Sequence, residues 1–265
     1  MTRCLDSVAR QTYRGAVEVI VVDDGCPEAS GDVAAAHPLD PKVLRLTNGG
    51  VANARNRGAA EASARLIAFL DADDVWHPQK LERQVERIQA LDTPALCFTR
   101  YRRLSGVHEE PVATPPASLK PSFALLTRLN FIGCSTVLVH KDCFDYAGGF
   151  PDSRELRRGG QDYALWLRIA TRYPLLFVPE ILVDYTIHEG SRVGLDALKN
   201  FEGAVNALRS FRHWSEAASE KRSLLSQRRL VLKHFSYAWN ALDRGRSDFP
   251  GRVRAIRALL RALSA

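Results

Sequence analysis

Val17-Glu18-Val19-Ile20-Val21-Val22-Asp23-Asp24-Gly25 runs from a nearly unbroken β-branched segment straight into two aspartates and a glycine. Such an apolar run suits a strand buried on both faces of a parallel sheet. The pattern recurs at Arg65-Leu66-Ile67-Ala68-Phe69-Leu70, which ends in Asp71-Ala72-Asp73-Asp74. Between the two lie a short strand at 42–46, closed by Asn48-Gly49-Gly50, and a helix over 52–63 rich in Ala, Arg and Glu. Downstream, Pro78 stands where helices begin, and Leu81, Val85, Ile88 and Leu91 follow at helical spacing. Strands are expected at 95–99, 135–140 and 181–187, with a helix near 161–172. The proline-rich stretch 104–121 reads as a loop. Alternating strands and helices predict an α/β fold with a mainly parallel sheet flanked by helices.

The chain has 265 residues, 46% hydrophobic and 25% charged, the mix of a globular protein and not of a disordered, collagen-like or disulfide-stapled one. Its length suits one large domain, or one domain with an appendage. The net charge of +7 is uneven. Residues 1–198 carry 23 basic and 25 acidic side chains, and residues 199–265 carry 14 and 5. A mildly acidic body with a basic tail argues against a nucleic-acid-binding core. Cys4, Cys26, Cys97, Cys134 and Cys143 are scattered, odd in number and without a CxxC, which predicts a reducing compartment and no zinc site. No apolar run approaches the about 20 residues of a membrane span, and no signal-peptide pattern opens the chain. The expected location is the cytoplasm.

Both acidic clusters end strands, and in open α/β sheets ligands bind at the carboxyl ends of strands. Crowded carboxylates repel one another unless a cation or a donor-rich ligand sits among them. Mg²⁺ or Mn²⁺ bridging a diphosphate is the natural candidate, because hard cations take carboxylate and phosphate oxygens. For Asp74 a second reading stands beside this one, as a helix cap ahead of Pro78. Trp76 and Trp166 are candidates for stacking on a sugar, although Trp166 lies in an apolar helix and reads as core.

With these segments go Cys4-Leu5-Asp6-Ser7-Val8, Gln11-Thr12-Tyr13, Asn48-Gly49-Gly50-Val51-Ala52 and Ala54-Arg55-Asn56-Arg57-Gly58. In order and spacing the set resembles the family 2 glycosyltransferases of the GT-A nucleotide-diphospho-sugar transferase fold, over roughly residues 2–190. The resemblance implies an inverting transfer of a sugar from a nucleotide-sugar, UDP-linked, to an acceptor hydroxyl. It assigns Asp23, Asp24, Gly50, Arg55 and Asp71 to the nucleotide-sugar. Arg55 either faces the diphosphate or pairs with the acidic clusters. Asp71-x-Asp73 matches the family's Asp-x-Asp motif, whose last carboxylate binds the divalent metal, Mg²⁺ or Mn²⁺. Gly149-Phe150 and Gly160-Gln161-Asp162-Tyr163-Ala164-Leu165-Trp166 look like the acceptor-side motif. There Asp162 matches the catalytic base, and Gln161 replaces the usual Glu. His188, after Tyr185, resembles a histidine near the end of the catalytic domain that reaches metal or diphosphate.

A base is required because a sugar hydroxyl is a poor nucleophile until its proton is taken. The family normally opens with a buried central strand, whereas Met1 here stands inside its first helix. The expectation is a late start, by truncation or a misplaced start codon. The predicted layout is a catalytic domain over 1–195 and a basic helical extension over 196–265. Val253, Ile256, Leu259, Leu260 and Leu263 form an apolar stripe, with Arg252, Arg254, Arg257 and Arg261 on the other faces. That extension suits packing on the body, a homo-oligomer contact, or peripheral contact with anionic lipid. The acceptor class stays open among glycan, lipid-linked and small-molecule hydroxyls. A dinucleotide-binding enzyme is disfavoured, since no G-x-G-x-x-G follows a first strand. The alternative kept is a catalytically weak or inactive nucleotide-sugar-binding module.

Overall fold

The computed structural model describes residues 1–105, 108–110, 118, 120–187 and 197–218. The elements in chain order are α1 (Thr2–Ala9), β1 (Ile20–Asp23), α2 (Ser30–Ala35), β2 (Lys42–Arg45), α3 (Val51–Glu61), β3 (Leu66–Ala68), β4 (Val75–Trp76) and α4 (Lys80–Gln89). They continue with β5 (Leu96–Ser105), β6 (His108–Glu110), α5 (Phe123–Leu126), β7 (Val137–His140), α6 (Lys141–Tyr146), α7 (Gln161–Arg172), β8 (Leu175–Ile187) and α8 (Ala197–Ala217). Short 3-10 turns span Cys134–Thr136 and Leu156–Arg158. The chain forms two compact units, one of Met1–Pro121, Phe131–Phe150 and Arg172–Glu189, the other of Ser122–Asn130, Pro151–Thr171 and Gly190–Ala265.

The first unit is α/β as expected, and its long parallel pairing of β5 with β8 is joined by antiparallel neighbours. β1 pairs with β2 in a separate parallel two-stranded sheet. The larger sheet runs β3-β7-β5-β8-β4, with β6 on β5. Within it only β5 and β8 are parallel; β3–β7, β5–β7, β4–β8 and β5–β6 are antiparallel. An apolar run reports burial on both faces, not direction, and β7 is buried and antiparallel at once. Among the described residues neither β1 nor β3 has a strand on its second edge.

The expected strand over 17–22 is also shorter than its composition suggests. It begins at Ile20, only Val21 within it is buried, and Val17 is 46% exposed. A strand with one partner cannot cover so many apolar residues. The 104–121 stretch is not all loop, since β5 runs to Ser105 and β6 folds back on it.

α4 shows why the larger sheet holds. Its Val85 and Ile88 pack with Cys97, Leu138, Val178 and Leu182 from β5, β7 and β8. Leu81 joins Trp76 and Val183. On the same buried face, Gln84 donates through Nε2 to the carbonyls of Cys97 (3.0 Å) and Thr136 (2.9 Å). Lys80, wholly buried, donates to Gln84 Oε1 at 2.7 Å and stands 4.0 Å from the centre of the Trp76 ring.

In the second unit, α7 is buried from Tyr163 to Thr171. Tyr163 Oη donates to the Leu126 carbonyl of α5 at 2.7 Å. α8 lends Ser210 to the Arg168 guanidinium at 3.1 Å, and its Phe211 ring meets Phe123 at 5.6 Å. All five cysteines are free thiols. No described helix is long and apolar enough to cross a membrane.

Candidate functional site

The carboxyl end of β1 is built into a loop by its own aspartates. Asp23 Oδ1 accepts from the Cys26 amide at 2.9 Å and Oδ2 from the Gly31 amide at 3.1 Å. Those amides, Cys26 foremost, hold the Asp23 carboxyl below its ordinary range. Asp24 spans the two amides ahead of α3, Gly49 at 2.8 Å and Gly50 at 2.7 Å. Gly50 takes φ 93°, a left-handed value that a side chain would strain. Asp23, Asp24 and Gly50 therefore share one loop cluster where β1 meets α3.

α3 reaches from there to the second acidic cluster. Arg55 Nη2 donates to Asp71 Oδ1 at 2.5 Å, and its guanidinium lies 5.3 Å from the centre of the Phe150 ring. Of its two readings, pairing with the acidic cluster is the one the structure displays. One turn of the same helix clamps Phe150, whose amide donates to Asn56 Oδ1 while Asn56 Nδ2 donates to its carbonyl, both at 2.8 Å.

Asp71-Ala72-Asp73-Asp74 is a tight turn after β3, closed by the Asp74 amide on the Asp71 carbonyl at 3.0 Å. Its residues part company. Asp73 is exposed, Asp71 is half-buried, and Asp74 is wholly buried. Asp74 is not a helix cap. Its Oδ2 accepts from Ser135 Oγ at 2.5 Å and its Oδ1 from the Thr186 amide at 3.1 Å, while α4 begins later, at Lys80. Burial, with Asp71 and Asp73 adding repulsion, pushes the Asp74 carboxyl up to about 8.

Trp76 is not offered to a sugar. It is 6% exposed, its Nε1 donates to the Ser135 carbonyl at 2.8 Å, and Lys80 covers one face. Trp166 is core, as expected.

In the second unit, Asp162 stands in the first turn of α7, where its Oδ1 accepts from the Tyr163 amide at 2.7 Å. Gly159 and Gly160, at φ 134° and 94°, lead into that turn. A Cβ on Gly160 would strike the Gly203 carbonyl of α8. Gln161 is buried beside the aspartate. His188 lies outside the described residues, as does the stripe at 253–263.

Among the described residues no three His, Cys, Asp or Glu side chains gather as a metal cage. One Asp71 oxygen is held by Arg55, and Asp73 faces solvent. Such a set fits a hard cation held by one or two carboxylates and completed by phosphate oxygens. Two groups escaped sequence reading. Ser135 carries no motif signal. The Asp184 carboxylate joins His77 at 2.9 Å to Arg102, with Nε at 2.5 Å and Nη2 at 3.1 Å. Burial works to raise the Asp184 carboxyl, but those partners outweigh it and hold it below its ordinary range.

Residues 1–145 match the family described as Glycosyl transferase family 2, a span that stops short of Asp162. The chain is 30% identical over 214 residues to the Escherichia coli UDP-Glc:alpha-D-GlcNAc-diphosphoundecaprenol beta-1,3-glucosyltransferase WfaP, covering 78% of this chain and 79% of that one. It is 26% identical over 211 residues to an uncharacterized glycosyltransferase of Rickettsia prowazekii, covering 76% of this chain. It spans only 65% of the length of that relative. The S. aureus TarS 1–349 structure in complex with UDP-GlcNAc superposes with a TM-score of 0.70 at 16% identity, over 98% of this chain and 77% of that one. At that identity the likeness is one of fold.

Proposed function

This chain belongs to glycosyl transferase family 2 and has the GT-A fold, and on that premise we propose that it moves a sugar from a UDP-linked donor to an acceptor hydroxyl with inversion. The observation that carries the reading is the acidic turn 71–74, which holds its first and last residues rigidly and leaves Asp73 exposed at the end of a strand. Asp23, Asp24 and Gly50 form the loop assigned to the nucleoside, and Arg55 offsets the charge of Asp71.

Asp71 and Asp73 are the residues assigned to a divalent cation, Mg²⁺ or Mn²⁺, with His188 as a third candidate. Such a cation, when bound, neutralises charge on a leaving diphosphate. Asp162 takes the proton of the acceptor hydroxyl as the new carbon–oxygen bond forms. The bond from the sugar to the phosphate oxygen breaks on the opposite face, and the nucleoside diphosphate leaves with that electron pair. One carboxylate suffices for a single displacement.

The test is turnover of UDP-glucose and UDP-GlcNAc with Mn²⁺. Asp162→Asn is expected to lower kcat by about 10²–10⁴-fold while UDP still raises the melting temperature. An Asp162→Asn protein that turns over normally removes the base assignment. Wild-type protein that binds UDP with Mn²⁺ and never turns over is a binding module instead.

For the acceptor we propose a lipid-linked sugar. The E. coli relative is named for a diphosphoundecaprenol-linked acceptor, and the arginine-flanked stripe at 252–263 suits an anionic lipid surface. Flotation with anionic phospholipid vesicles is expected to carry the full chain and to fall when residues 249–265 are deleted. Equal flotation of the two overturns the lipid contact.

A further inference from the structure

We propose that Ser135 is the positioning residue of the acidic turn, its hydroxyl holding both ends so that Asp71 and Asp73 are set before a nucleotide arrives. The inference rests on the donor-side reading above and adds a residue that no part of the Asp-x-Asp motif contains. Ser135 sits in the 3-10 turn Cys134–Thr136 that leads into β7 and is 3% exposed. Its Oγ accepts the Asp71 amide at 3.1 Å and donates to Asp74 Oδ2 at 2.5 Å. A hydroxyl has one proton and two lone pairs, so one oxygen serves both bonds at once.

The surroundings leave that oxygen little freedom. The Ser135 carbonyl accepts Trp76 Nε1, two residues beyond the turn, at 2.8 Å. The second Asp74 oxygen is taken by the Thr186 amide of β8, and the Asp71 carbonyl faces Cys4 Sγ of α1 at 3.7 Å. The Trp76 amide in turn donates to Ser7 Oγ at 3.1 Å. Residues 71 and 74 are thus tied to α1, the 3-10 turn and β8, whereas Ala72 and Asp73 between them are exposed. Groups that orient a ligand without touching the metal commonly govern its affinity by 10–100-fold.

A serine that only filled space would tolerate alanine without consequence for the ligand. Three variants separate the readings. Ser135→Ala removes the hydroxyl, Ser135→Thr keeps it, and Thr136→Ala removes a neighbouring hydroxyl whose bond, to the Gly133 carbonyl at 2.7 Å, does not involve the acidic turn. Two readouts are needed, amide exchange over residues 69–76 in the ligand-free protein, and Mn²⁺ affinity in the presence of UDP by paramagnetic resonance. The expected result is faster exchange at the Asp71 amide and a roughly 10–100-fold loss of Mn²⁺ affinity in Ser135→Ala alone. Unchanged exchange and affinity in Ser135→Ala overturn the proposal, as does an equal loss in Thr136→Ala. Wild-type protein that takes up no Mn²⁺ with UDP overturns the proposed function, and the exchange result still decides whether Ser135 holds the turn.

Discussion

Lys80 carries an ammonium into the core with an amide oxygen and an indole face as its recorded partners. Burial pulls it down to about 7 from 10.5. Between those two values the unfolded chain holds a proton that the folded chain has released, so stability rises with pH across that window. Below about 7 the folded protein bears the full cost of the buried charge. Urea unfolding of the wild type and of Lys80→Met from pH 6 to 10.5 should therefore show the wild type gaining on the variant as pH rises, since the other buried groups, Asp74 among them, titrate alike in both. At pH 6 Lys80→Met is expected to be the more stable of the two, and a difference that does not change with pH would refute the reading. At this scale the acidic motifs were legible because they are local. Ser135 was not, since its partners Asp71 and Asp74 lie 64 and 61 residues away in sequence. Trp76 was misread for the same reason, because the lysine and carbonyl that occupy it are brought there by folding. Of the two readings left open for Arg55, only the fold selected pairing with Asp71.

Among elements, α7 was legible in full, expected near 161–172 and found at Gln161–Arg172, with a glycine pair ahead of it. β4 was not, since two residues carry no period, and the direction of β7 was not, since direction is set by connections. The glycine pair is where α7 is most vulnerable. Gly160→Ala would combine a left-handed φ with a collision against the α8 backbone. It is expected to cost about 1–3 kcal/mol in thermal unfolding and to lower turnover by displacing the first turn that bears Asp162. Gly148→Ala is the control. Its φ of 75° is also left-handed, yet no atom lies within 4 Å of the added Cβ, so only the conformational cost remains and turnover should hold.

For the molecule as a whole, the division of the first unit into two sheets has a measurable result. A two-stranded sheet is marginal by itself, whereas β5, β7 and β8 sit inside a larger one. Amides of β1 and β2 are expected to exchange faster than those of Leu96–Phe98 and Val137–Val139, and to slow when Mn²⁺ and UDP are added, since Asp23 and Asp24 lie at the end of β1. Equal protection in both sheets would refute this. The second unit is not one continuous length of chain. That unit is stitched from three separate lengths of chain, 122–130, 151–171 and 190–265. Its α8 supplies Asn206 to the Glu155 carbonyl, Gly203 to the start of α7 and Ser210 to Arg168. In genetic terms this argues against shortening the gene from its 3′ end as far as α8. A stop codon at 196 would spare every described strand and still strip the helix that carries Asp162 of its packing partner, so truncation, fusion and domain exchange must keep the reading frame through α8.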